Sequence, residues 1–295
     1  MTDTPDPQAR PIDLFVHIPK TAGTTMTQVL QRNYRQPRTF YLGANVQPKI
    51  AQFQALTARQ QRSYQLVVGH MSFGLHAYLA EPRPYRYFTM LRDPIERVLS
   101  FYYFIKRTPA HYLHDPVATE NLSIPDFLAF QDSYMARNGQ TRFLCGRDVM
   151  PYYGQVEADA LAEAKTHIRE HIAVTGLTER FDESLLLYQH AFGWKQLHYT
   201  RQNVTSKRTG LHELPADALA AIRAHNALDL ELYAFAQGVF EEQIAAYGPG
   251  FGQDLARVQR ANTYAKVTEP VQKTIQRMRR VSVRTYIKTL LHGRE

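Results

Sequence analysis

The sequence predicts an α/β fold, with a central and mostly parallel sheet flanked by helices and a helical extension at the C-terminal end. Two observations predict it. Short β-type runs alternate with longer helical patterns along most of the chain. The first four of those runs, residues 12–18, 65–69, 86–91 and 172–177, are apolar on both faces, as strands covered by helices on two sides must be.

Taken in order, the strand at 12–18 is followed by a helical pattern at 24–34, and a second helical pattern spans 48–62. The strands at 65–69 and 86–91 follow, then helices at 95–106 and 157–170. A strand at 172–177, a helix at 180–192 and a last strand at 196–200 complete the alternation. Pro215 opens a long helical region to 247, since proline suits the first position of a helix. The run Gly248-Pro249-Gly250-Phe251-Gly252 is a strong breaker and marks the expected boundary between a domain at 1–250 and a helical extension at 251–295. The stretches 108–121 and 137–154 carry no readable pattern.

Composition narrows the possibilities. A chain of 295 residues with 44% hydrophobic content forms a sizeable core and is not disordered as a whole. Its one cysteine, Cys145, gives no argument for an oxidising compartment. The N-terminal run has acids and prolines where a signal peptide has a basic start and an apolar stretch, and no run approaches the ~20 apolar residues that cross a bilayer. A cytoplasmic protein is the expectation. The net charge of +8 resides in residues 255–295, which hold ten Lys/Arg and two Glu, while the rest of the chain is balanced. Basicity is therefore no argument for nucleic-acid binding by the main domain.

Residues 15–25 read Phe-Val-His-Ile-Pro-Lys-Thr-Ala-Gly-Thr-Thr. A strand, a small-residue loop and a helix start point backbone N–H groups and the positive end of a helix dipole at one spot, which suits a phosphate. Lys20 adds a cation, Thr21, Thr24 and Thr25 add hydroxyls, and Gly23 permits close backbone approach. The order differs from G-x-x-x-x-G-K-[ST], because the lysine precedes the only glycine. No carboxylate partner for magnesium is evident, so no metal site is expected. A plain helix N-cap at Thr24 or Thr25 is the simpler alternative.

A second segment, residues 87–102, places Arg92 at the end of a strand and Pro94 at the start of a helix. Ligands of open α/β sheets bind at such strand ends, and an arginine grips a phosphate with two parallel hydrogen bonds. Ser100 lies two turns into that helix and meets the same ligand only if the ligand lies along it. An ion pair of Arg92 with Asp93 or Glu96 is the simpler alternative. The strand at 65–69 delivers His70 to the same edge.

Together HIPKTAGTT at 17–25 and LRDPIERVLSFYYF at 91–104 resemble the sulfotransferase family that includes the heparan sulfate 2-O- and 6-O-sulfotransferases and the chondroitin sulfotransferases. GLTERFDESLLL at 176–187 and NALDLELYAFA at 226–236 are similar to it less specifically. The resemblance spans about residues 12–247 and implies a three-layer, P-loop-like fold. It implies an enzyme that moves a sulfuryl group from PAPS (3′-phosphoadenosine 5′-phosphosulfate) to a hydroxyl of a carbohydrate or glycoconjugate, releasing PAP. Lys20, Thr21, Gly23, Thr24 and Thr25 would hold the 5′-phosphosulfate, Arg92 and Ser100 the 3′-phosphate. Asn203, Lys207 and Arg208, in a polar loop, would close over the donor. The family's matching histidine implies His70 as catalytic base. Some relatives carry a second histidine where this chain has Val68, which leaves the acceptor contacts open.

Chemistry gives an independent reason for a histidine. Sulfuryl transfer should resemble in-line phosphoryl transfer, where positioning and charge stabilisation dominate, and an imidazole accepts the hydroxyl proton near neutral pH. Lys20 would offset charge on the leaving phosphate. Glu81 is the fallback base, and His17 reads as a packing residue. A P-loop nucleotide-dependent kinase and a non-catalytic nucleotide- or glycan-binding protein are the competing readings. The basic segment 273–291 carries a rough apolar stripe, which suits an anionic membrane surface, a polyanionic acceptor or packing on the domain.

Overall fold

The computed structural model describes residues 10–35, 37–43, 46–146, 158–200 and 214–263. Five strands form one sheet: β1 (Ile12–Val16), β2 (Thr39–Gly43), β3 (Leu66–Gly69), β4 (Tyr85–Leu91) and β5 (Ile172–Leu177). Their order is β2-β3-β1-β4-β5, and every pairing is parallel. All five residues of β1 and all four of β3 are buried, which is why these segments read as continuous apolar runs.

The connections are helical. Helix α1 (Gly23–Asn33) follows β1, and α2 (Val46–Gln54) and α3 (Ala58–Ser63) join β2 to β3. Helix α4 (Pro94–Lys106) follows β4. Then come the short α5 (Ile124–Ala129) and α6 (Gly139–Leu144), and α7 (Ala158–Glu170) before β5. Helices α8 (Phe181–Phe192), α9 (Ala216–His225) and α10 (Ala227–Tyr247) end the domain. One core cluster lies around the sheet and a second lies under α4, α5 and α9.

Four expectations change. Strand β2 was not read from the sequence. The helix expected at 48–62 is two helices, because Thr57 and Gln60 form a capping box that starts α3. The helical region from Pro215 breaks at Asn226 into α9 and α10. Residues 196–200 are not a strand. Their backbone is held by side chains of α1 instead: Gln28 donates to Thr200 O at 3.1 Å, Arg32 to His198 O at 2.8 Å and Asn33 to Gln196 O at 2.8 Å. A segment satisfied by a helix's side chains has no need of a sheet edge.

Beyond the Gly248 breaker, residues 251–263 are helical and return to the domain. Phe251 is buried against Tyr247, and Asn262 donates to Asp182 at 2.8 Å. The basic stripe at 273–291 lies outside the described residues. Among the described residues, no helix is long and apolar enough to cross a membrane.

Candidate functional site

Because all strands run the same way, their C-terminal ends share one edge of the sheet. The three central neighbours, β3, β1 and β4, carry the informative motifs, with Val16 registered against Gly69 on one side and Thr89 on the other. The chain leaves β1 toward β2 and later crosses to β4 and β5, so this edge includes the point where the winding direction reverses. Open α/β sheets bind ligands there.

The loop after β1 is tightly wound. Lys20 and Ala22 both have left-handed backbone, φ 73° and 62°. Thr21 is buried and its hydroxyl donates to Ile18 O at 2.9 Å, closing the turn from within. Helix α1 begins at Gly23 with Ala22 as its N-cap and no side-chain cap, so neither Thr24 nor Thr25 is the cap. Thr24 is exposed beside this N-terminus and Thr25 is buried. A Cβ on Gly23 would stand 1.7 Å from His17 Nε2, so glycine is required where the loop passes the His17 ring.

The Lys20 side chain reaches across to α4, its ammonium 3.9 Å from the centre of the Phe104 ring. Burial first, then the charges of Arg92 and Arg107, lower its pKa to about 8. Lys20 in turn lowers the pKa of His111, after burial. Arg92 donates to Lys20 O at 3.2 Å and to Glu96 at 3.0 Å, so the Glu96 ion pair anticipated from sequence forms while Arg92 also touches the loop. Glu96, Ser100 and Phe104 recur every fourth residue along α4, about 6 Å apart. The loop therefore reaches both ends of one helical stripe, meeting Phe104 directly at its finish and Glu96 at its start through Arg92. Ser100 is the position between.

His70 follows β3 directly. Its Nδ1 lies 2.8 Å from His17 O. A carbonyl only accepts, so Nδ1 carries the proton and Nε2 holds the lone pair. Burial is the main cause lowering its pKa, the bond to His17 opposes this, and the Lys20 charge lowers it further. The His17 ring, 4.4 Å from that of His70, is lowered to about 3 by burial and by the charges of His70 and Lys20. Both imidazoles are neutral at pH 7.

The structure thus brings together Lys20, His70, Arg92 and the Ser100 face of α4. Asn203, Lys207 and Arg208 lie outside the described residues. Glu81 precedes β4 at the opposite end of the sheet and pairs with Arg62, so it is no alternative base. Sequence reading missed Phe104, Arg107 and His111. Phe104 closes the 91–104 motif and stands one helical repeat after Ser100, which were the available signals. Arg107 and His111 sit where α4 ends and the unread stretch begins. Among the described residues, no group of three or more His, Cys, Asp or Glu is placed to hold a metal.

Fold and site together define an α/β protein with a cationic, phosphate-type loop and a neutral imidazole at the central strand ends. The galactose-3-O-sulfotransferase family model matches residues 3–274, and the chain belongs to that family. It is similar to heparan-sulfate 6-O-sulfotransferase 3-B of Danio rerio, 26% identical over 273 residues covering 77% of this chain and 63% of that protein. It is also similar to heparan-sulfate 6-O-sulfotransferase 1 of Homo sapiens, 26% identical over 277 residues covering 78% and 66%. Heparan-sulfate 6-O-sulfotransferase 2 of Danio rerio is 27% identical over 274 residues, covering 77% and 57%. The chain spans less than two thirds of the length of each of these relatives.

Proposed function

We propose that this protein is a sulfotransferase that moves a sulfuryl group from PAPS to a hydroxyl of a carbohydrate or glycoconjugate, with His70 as general base. One observation carries the reading: Lys20, His70 and Arg92 leave three adjacent parallel strands at one edge, and the backbone between them is wound for an anion. The family's acceptor is a galactose and the relatives' acceptor is heparan sulfate, which favours a sugar hydroxyl as the class.

The residues fit the donor. Two left-handed residues, a glycine with no room for a side chain and a helix start without a side-chain cap form a cradle for an oxyanion. Lys20, Arg92 and Arg107 lie close enough that the two arginines lower the lysine's pKa, an arrangement an anion relieves. Bound there, PAPS supplies an activated sulfuryl group on its 5′ side and a 3′-phosphate as a handle.

Lys20, Gly23, Thr24 and Thr25 hold the 5′ end through ammonium, backbone N–H and hydroxyl groups, with Thr21 bracing the turn from inside. Arg92 and Ser100 hold the 3′-phosphate along α4, and Asn203, Lys207 and Arg208 cover the donor. His70 Nε2 takes the proton of the acceptor hydroxyl as that oxygen bonds to sulfur. Lys20 offsets the charge left on the departing phosphate. Base catalysis of this kind is worth ~10²–10⁴-fold.

Two measurements test the reading. Labelled PAPS is incubated with the protein and pools of polysaccharide, glycolipid and glycoside acceptors, and label is expected in one carbohydrate pool. Thermal shift is run with PAP, ADP and ATP–magnesium, and PAP is expected to stabilise most. Stabilisation by ATP–magnesium over PAP would replace this reading with a kinase.

A further inference from the structure

The backbone that presents Arg92 is held by a set of side chains from elsewhere in the fold. Thr178 donates to Leu91 O at 2.9 Å. The Gln140 carboxamide grips Arg92 on both sides, accepting from its N–H at 2.9 Å and donating to its carbonyl at 2.9 Å. Glu179 accepts from the Asp93 N–H at 3.1 Å. Three consecutive residues where β4 passes into α4 thus have peptide groups fixed by side chains, Leu91 in addition to its pairing with Leu177 in the sheet.

Two of the residues that supply these side chains, Gln140 and Glu179, are themselves anchored by α10. Asp229 accepts from the N–H groups of Gln140 and Thr141 at 3.0 and 2.8 Å and from the Thr141 hydroxyl at 2.8 Å, capping α6. Asn138 repays the cap in reverse, accepting from the N–H groups of Leu228 and Asp229 at the start of α10, at 3.1 and 3.2 Å. Arg97 lies 3.6 Å from Asp229, with side-chain exposures of 1% and 0%. Tyr233, one turn on, donates to Glu179 at 2.6 Å.

We propose that Gln140 and Glu179 are positioning residues that hold the Arg92 backbone, and so aim its guanidinium at the donor's 3′-phosphate, with Asp229 and Tyr233 of α10 as their anchors. The inference rests on the donor reading above. A guanidinium recognises phosphate through directed hydrogen bonds, so its contribution depends on where the backbone places it. It also gives a purpose to the 176–187 and 226–236 stretches, which supply Thr178, Glu179, Asp229 and Tyr233.

The test compares PAP with adenosine 5′-monophosphate, which lacks the 3′-phosphate, by calorimetric titration of wild type, Gln140→Ala, Glu179→Ala and Glu179→Gln. Glu179 is exposed, so its replacement spares the core even if the buried Gln140 does not tolerate alanine. Both alanine variants are expected to weaken PAP about tenfold, about one hydrogen bond's worth, while leaving the monophosphate unchanged. Glu179→Gln keeps an acceptor for Asp93 and a partner for Tyr233, and is expected to restore wild-type preference. Equal weakening of both ligands, or none, overturns the clamp while the donor reading stands. A wild type that does not prefer PAP overturns both.

Discussion

His70 and His17 lie ring to ring at 4.4 Å, and the Nδ1–H of the first is bonded to the carbonyl of the second at 2.8 Å. The strand that carries the phosphate-type loop therefore sets the tautomer of the imidazole on the next strand. A backbone carbonyl partner would be the mark of a structural histidine if Nε2 were also engaged. Here the bond selects the nitrogen that stays basic.

His70→Ala is expected to lower turnover ~10²–10⁴-fold while PAP affinity changes little. The pH profile carries a sign. Since the folded protein holds His70 below its ordinary 6.5, the neutral base persists as pH falls, and the acid limb of kcat/KM is expected below pH 6.5. Near-normal turnover in the variant, or an acid limb above 6.5, would remove His70 as the base.

Lys20 gives the opposite limb. Its pKa of about 8 means that the free protein loses this charge at a pH where an ordinary lysine, at 10.5, keeps it. An anion favours the charged form, so binding between these values takes up a proton. PAP affinity is expected to fall as pH rises above about 8, by at most ~10-fold per pH unit for one proton. Lys20→Arg should flatten that dependence between pH 7 and 9.5, and titrations across the range check it. An unchanged slope in Lys20→Arg would assign the proton elsewhere.

The His17–Gly23 contact is a matter of space. Gly23→Ala puts a methyl group where His17 Nε2 stands, and overpacking of this sort costs ~1–3 kcal/mol or more. The expected outcome is a lower urea midpoint, partly restored when His17→Ala is added. Two additive losses would show that the ring and the glycine do not compete for one volume.

Much of this was legible in the chain. The runs 12–18 and 65–69 announced themselves as buried strands, observed at 12–16 and 66–69, because parallel strands covered on both faces must be apolar throughout. The loop around Lys20 and the strand-to-helix step at Arg92 were equally readable, since each is a local pattern of charge, small residues and proline. Strand β2 escaped because it is a five-residue strand at the edge of the sheet, paired with β3, and residues 196–200 misled because their backbone was satisfied by side chains of α1. Gln140 was unreadable in principle: a buried glutamine in a patternless stretch gains meaning only from the peptide group it meets.

By itself the sequence determined which residues could be strands, which loop could cradle an anion and which side chains could supply cation, base and guanidinium. These follow from local chemistry and short-range periodicity. Tertiary structure alone decided that β3, β1 and β4 lie side by side, that the His17 carbonyl fixes the His70 tautomer, and that α6 and α10 brace the Arg92 turn. The reason is that parallel pairing and side-chain-to-backbone bonds join residues from 48 to 91 positions apart, as at Arg92–Gln140 and Asn138–Asp229, and no local pattern encodes such a meeting.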